Sequence, residues 1–186
     1  ENARRLASYA RMVQEAGMVP MIEPEVLYDG KHSLLKSKEV IEKTLTTVMA
    51  MLEESVVDPS SVVIKTSMAL SGKETGRIDS PQEVAEATLS ALRASIPREV
   101  PGIVFLSGGQ SDEQAVANLG AIHALAKKEP VPWNLTYSYA RAIQEDVLTA
   151  WQRKDENVTE ARKGFLARLE TLTNLYGDQE GTCTEL

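Results

Sequence analysis

Apolar positions recur along this chain with two periods that take turns. Leu6, Tyr9 and Val13 share one face of a helix expected from Ala3 to about Ala16, with Gly17 as its stop. A short apolar run, Met18 to Ile22, follows and ends in Glu23-Pro24-Glu25. Helical spacing returns from about Lys36 to Glu54, where Val40, Ile41, Leu45, Val48 and Leu52 line up. Asp58-Pro59-Ser60 then turns the chain into a strand, Val62 to Ser67, and a polar loop with glycines runs from Ser71 to Asp79.

Two helix starts follow. Ser80-Pro81-Gln82-Glu83 places a serine at the N-cap, proline at the first helical position and glutamate at the third. Ser111-Asp112-Glu113-Gln114 caps a second helix in the same manner. Ahead of it lies a strand, Gly102 to Leu106, and a Gly-rich loop; Pro97 and Pro130 mark turns. A last strand, Trp133 to Tyr137, runs into Ser138-Tyr139-Ala140-Arg141, and further helix is expected to about Tyr176. Residues 177–186 read as a polar tail, which leaves 1–176 as the folded part. Strands that alternate with helices predict an α/β fold around a parallel sheet.

Composition narrows the function classes. The 186 residues are 42% hydrophobic and 25% charged, as in an ordinary soluble domain. A net charge of -7 argues against nucleic acid as a partner. No apolar run approaches the roughly 20 residues of a membrane span, and no signal-peptide pattern opens the chain. The one cysteine, Cys183, excludes an internal disulfide framework and fits a reducing compartment, so a cytoplasmic location is expected. The first residue is Glu1 rather than an initiator Met, so sequence upstream is expected. His32 and His123 stand isolated from any cluster with metal-ligand spacing, and no metal is expected.

Four polar residues then fall into order. Glu23, Lys65, Ser107 and Ser138 each sit at the C-terminal end of a strand, at separations of 42, 42 and 31 residues. Each step is about one strand-loop-helix unit, and in a βα barrel that end carries the chemistry. A closed barrel takes eight strands and about 250 residues. Only the last four strands of such a TIM (β/α)8 barrel are expected here.

The loop Leu106-Ser107-Gly108-Gly109-Gln110 matches the signature of ABC-type ATPases letter for letter. That machine also needs a G-x-x-x-x-G-K-[ST] loop and a Mg²⁺-holding Asp after a nearby strand. Neither occurs; the next strand is Trp133-Asn134-Leu135-Thr136-Tyr137. As an anion site the loop still makes physical sense. Free backbone N–H groups and the positive end of a helix converge there, and glycine lets the backbone come close. The plainer reading is a turn of the chain.

Strand alternation puts Val63, Lys65 and Ser67 on one face, so an ammonium lies among apolar neighbours. Lysines are seldom buried without a partner or a task. Lys65 is either a lysine reaching solvent at the strand's mouth or an amine tuned to attack a carbonyl. Glu23 and Glu25 lie two apart, on one face and about 6.6 Å apart by strand rise. Such a pair suits proton transfer, or makes ordinary loop contacts. Arg141 is a surface cation or a phosphate clamp.

Together these strand ends resemble class I fructose-1,6-bisphosphate aldolase, the Schiff-base type, over about residues 1–160. The likeness starts with Glu1-Asn2-Ala3-Arg4 and includes Val19-Pro20-Met21-Ile22-Glu23-Pro24-Glu25, then Lys65 with Met68. It continues through Phe105-Leu106-Ser107-Gly108-Gly109-Gln110-Ser111 and Ser138-Tyr139-Ala140-Arg141. The resemblance implies Lys65 as the Schiff-base lysine, Glu23 as the general acid/base and Glu25 as its support. It implies Ser107, Gly108, Gly109, Ser138 and Arg141 as the substrate-phosphate site. It also implies a glycolytic lyase that needs no cofactor, takes a sugar phosphate, and is commonly a homotetramer.

Three departures stand out: Thr66 where the family usually has Pro, Ala140 where it has Gly, and a tail ending in Leu186 rather than a functional Tyr. The family's first four strands supply an Asp and further lysines, so residues 1–186 by themselves are expected to turn over negligibly. A transaldolase or deoxyribose-phosphate aldolase is the enzymatic alternative. A non-catalytic half-barrel, serving phosphate binding or assembly, is the other.

Overall fold

The structure is a computed structural model and describes residues 1–174, apart from the side chains of Arg141 and Ala142. The helix end expected near Tyr176 and the tail at 177–186 lie outside the described residues. Residues 1–139 form one compact unit. In it strands and helices alternate: α1 (Asn2–Glu15), β1 (Met21–Ile22), α2 (Leu34–Glu54), β2 (Val63–Thr66), α3 (Pro81–Ser95), β3 (Gly102–Phe105), α4 (Asp112–Lys128) and β4 (Asn134–Tyr137). The four strands lie in chain order and every pairing is parallel. A parallel return needs a crossover, and each helix between strands supplies one. This is the α/β fold expected, in the arrangement of consecutive strands of a (β/α)8 barrel.

Register sorts the side chains. Ile22 pairs with Ile64 and Ile64 with Ile103, and all three are fully buried. Ile41, Leu45, Val48 and Leu52 of α2, with Leu89 and Leu92 of α3, complete that core. One residue along, Lys65 pairs with Val104 and Val104 with Thr136, on the opposite face. A slip of one residue would exchange Lys65 for Ile64 and push an ammonium into the apolar core. The alternation in Val63–Thr66 therefore selects a single register.

Both serine-capped helix starts take the form expected, with reciprocal capping boxes at Ser80/Glu83 and Ser111/Gln114. Two elements differ from expectation. β1 is only Met21–Ile22, because Pro20 and Pro24 flank it and proline has no N–H for a ladder. Helix α1 buries Ala7 and Ala10 rather than Tyr9, which is exposed; small side chains allow close helix contact.

The loops after β1 and β2 are docked on each other. Gly72 N–H donates to His32 O at 2.8 Å, Lys73 N–H to Tyr28 O at 2.9 Å and Glu74 N–H to Gly30 O at 2.9 Å. Buried Asp79 holds the second loop, accepting from Ser71 N–H at 2.6 Å, Ser71 Oγ at 2.8 Å and Arg77 Nε at 2.7 Å. The approach is so close that a Cβ on Gly72 would collide with the carbonyl of Gly30.

A second compact unit begins at Ala140 and contains α5 (Arg141–Trp151) and α6 (Val158–Asn174). Gln152 and Arg153, at φ of 52° and 59°, are left-handed and end α5.

Two outcomes follow for the intact protein. Gly72→Ala should lower stability by about 1–3 kcal/mol through overpacking against rigid backbone, read as a lower urea midpoint with an unchanged slope. His123, on α4, is held below the usual imidazole value by burial. Its neutral form contributes stability that is fully present above the unfolded value, about 6.5, and is lost as pH falls through the lower folded one. Urea midpoints from pH 7.5 to 5 should therefore decline less in His123→Asn than in wild type.

Candidate active site

The site is built from strand ends. Because Ile22 pairs with Ile64, the next residue, Glu23, stands beside Lys65. Their side chains meet: Lys65 Nζ lies 3.0 Å from Glu23 Oε1, with the lysine 17% exposed and the glutamate 46%. A pair this open to water adds roughly 0–1 kcal/mol to stability. Its significance lies in chemistry. An amine and a carboxylate at hydrogen-bond distance can exchange a proton while one of them attacks a substrate.

Glu25 lies beyond the end of β1, so strand rise does not set its distance from Glu23. Alternation nevertheless continues: Ile22 and Pro24 are buried while Glu23 and Glu25 are exposed. Both glutamates line a groove shared with Leu6, Lys43 and Thr47. Among the described residues Glu25 has no ion-pair partner.

Ser67 is a contributor that sequence reasoning passed over. Its hydroxyl accepts from Val26 N–H and donates to Val26 O, each at 3.0 Å, and the residue is 5% exposed. Two residues past Lys65, it ties down the segment that carries Glu23 and Glu25. Its place on the face of Lys65 was the available signal; its partner was not legible.

The Gly-rich loop follows β3. Gly108 and Gly109 have φ of 59° and 81°, a tight turn that side-chain-bearing residues disfavour, closed by Gln110 N–H donating to Ser107 O at 3.1 Å. Ser107 is buried, and α4 begins just beyond with its positive end toward the loop. Ser138 follows β4 directly and donates its N–H to Phe105 O at 2.8 Å. Tyr139 anchors that end by donating to Ala115 O at 3.1 Å. Thus Lys65 and Glu23 are in contact, and Ser107–Gly109 and Ser138 occupy the next two strand ends. The side chain of Arg141 lies outside the described residues. Among the described residues no group of His, Cys, Asp and Glu could hold a metal ion.

Parallel strands with polar groups gathered at their carboxyl ends define the class: an α/β protein of the barrel type. The family model for class-I fructose-bisphosphate aldolase matches residues 1–179. The chain belongs to that family. It is 43% identical over 185 residues to cytosolic fructose-bisphosphate aldolase 4 of Arabidopsis thaliana, covering 97% of this chain and 47% of that protein. The cytoplasmic isozyme of Spinacia oleracea is 42% identical over 168 residues, 90% of this chain and 46% of that one. Among solved structures, Plasmodium falciparum aldolase in complex with TRAP and a small-molecule inhibitor superposes with a TM-score of 0.89 at 42% identity. That match covers 98% of this chain and 52% of the other. The chain spans about half the length of the curated relatives it matches. No helix among the described residues is long and apolar enough to cross a membrane.

Removing the Ser67 hydroxyl leaves a donor and an acceptor of Val26 without their partner. Ser67→Ala should accelerate amide hydrogen exchange in the peptide around Val26 by about tenfold, the equivalent of one lost hydrogen bond. Unchanged exchange there would remove the tether from the account of the site.

Proposed function

We propose that the protein containing this chain cleaves fructose 1,6-bisphosphate into dihydroxyacetone phosphate and glyceraldehyde 3-phosphate through a Schiff base on Lys65. The observation that carries the reading is the 3.0 Å contact of Lys65 Nζ with Glu23 Oε1 at the carboxyl edge of a parallel sheet. Family membership supports the reaction class.

In this reading the Lys65 amine adds to the C2 carbonyl and forms a carbinolamine. Glu23 protonates its hydroxyl, water leaves and a protonated imine remains. The imine accepts the electron pair of the C3–C4 bond as a carboxylate takes the C4 hydroxyl proton. The aldehyde departs and an enamine stays on Lys65. Protonation at C3 and hydrolysis then release the second product and restore the amine. Glu25, in the same groove, supports the charge balance of Glu23. Backbone N–H groups of the Ser107–Gly109 loop, with Ser138, hold a substrate phosphate; Arg141 joins them on its motif alone. A cytoplasmic glycolytic enzyme assembled as a homo-oligomer is the setting this implies.

Borohydride reduction of the intact protein with dihydroxyacetone phosphate should add the reduced adduct to the peptide bearing Lys65. Lys65→Arg should abolish the label, and Glu23→Gln should lower kcat by about 10²–10⁴. Chelator should leave turnover unchanged. A label on another lysine, or turnover that survives Lys65→Arg, refutes the assignment.

A further inference from the structure

Gln110 closes the Gly-rich loop, and the reaction above gives it no task. It is 9% exposed, and both ends of its amide are used. Nε2 donates to Ser107 O at 2.7 Å, with Met68 Sδ at 3.8 Å, while Oε1 accepts from Asn118 Nδ2 at 2.6 Å. Asn118 is 4% exposed, on the buried side of α4. The carbonyl of Ser107 therefore receives two donors from one residue, the Gln110 backbone N–H at 3.1 Å and its side-chain amide.

This arrangement orients a peptide plane. In a trans peptide the C=O and the following N–H point in opposite directions. Holding Ser107 C=O toward Gln110 turns Gly108 N–H away from the buried face of α4. Among the described residues neither Gly108 N–H nor Gly109 N–H has an acceptor. Glycine accepts positive and negative φ alike, so the backbone at Gly108 does not by itself prevent the plane from turning over. A turned plane would present a carbonyl oxygen to an incoming anion.

Resting on the phosphate-binding reading above, we infer that Gln110 is a positioning residue. Its amide, braced by Asn118, keeps the Ser107–Gly108 peptide turned so that an N–H meets the substrate phosphate. Gln110 acts through the backbone and touches no substrate. The last letter of the loop thereby has a function that the two glycines cannot supply.

The test uses the intact protein with Gln110→Met, Gln110→Glu and Asn118→Ala. Methionine keeps the length, glutamate keeps an acceptor for Asn118, and neither side chain donates to Ser107 O, which keeps only the backbone N–H of residue 110. Three measurements are made: affinity for inorganic phosphate by calorimetry, KM and kcat for fructose 1,6-bisphosphate, and borohydride trapping at Lys65 with dihydroxyacetone, which carries no phosphate. Both Gln110 variants should bind phosphate about tenfold more weakly, the scale of one charge-assisted contact, and raise KM alike. Trapping with dihydroxyacetone should stay within about twofold of wild type, since that ligand makes no phosphate contact. Asn118→Ala should shift the same parameters by less, and serves if the Gln110 variants fold poorly. Wild-type phosphate affinity in all three variants overturns the inference, as does an equal fall in phosphate binding and dihydroxyacetone trapping, which marks general loosening. A wild-type protein that neither binds phosphate nor traps at Lys65 overturns the functional reading itself, and this inference with it.

Discussion

Parallel pairing is the constraint from which the site derives. It sends every strand of the sheet in the same direction, so each unit delivers its last residues to one edge. Ladder register then decides which of those residues are neighbours. Ile22 against Ile64 leaves Glu23 beside Lys65, and Ile64 against Ile103 leaves Lys65 against Val104. The apolar row enforces this, because three isoleucines with no exposed surface cannot be moved by one residue without bringing a charge into the core. Core packing and functional geometry are thus one specification, read on opposite faces of the same strands.

Above that edge the loops are fixed by polar contacts as well as by burial of Met68 and Ala69. Ser67 bridges to Val26, Ser37 Oγ accepts from Leu70 N–H at 3.1 Å, and Thr88 Oγ1 accepts from Ala69 N–H at 3.0 Å. Each satisfies a backbone group that burial would otherwise leave unpaired, at a cost of roughly 1–3 kcal/mol. The chain leaving β2 is therefore held on both sides, by the β1 loop and by α2 and α3. In the proposed reaction a lysine must present its amine within tenths of an ångström, and such bracing would supply the physical means.

Periodicity made the fold legible. Alternation at Val63, Lys65 and Ser67, helical spacing in α2 and the two serine caps are local signals, and local signals survive in sequence. The short β1 was legible only at its end: the apolar run expected from Met18 crossed Pro20, where the strand does not yet begin. The α1 face was misjudged because burial of Ala7 and Ala10 depends on how closely a neighbouring helix approaches, which no single-helix pattern records. Side-chain partners were hidden for the same reason, whether eight residues apart or forty-one. Nothing in the composition of residues 67 and 26, or 110 and 118, says that they meet. The strand-end positions of Glu23 and Lys65 indicated a shared edge; their contact emerged only with the register.

That contact also has a consequence for the proposed reaction. An amine must shed a proton before it can attack a carbonyl, and the carbinolamine that results must gain one before water can leave. With Glu23 Oε1 within 3.0 Å of Lys65 Nζ, the carboxylate can receive the first proton and return it in the second step. Imine formation then balances within one pair, with no proton drawn from bulk solvent.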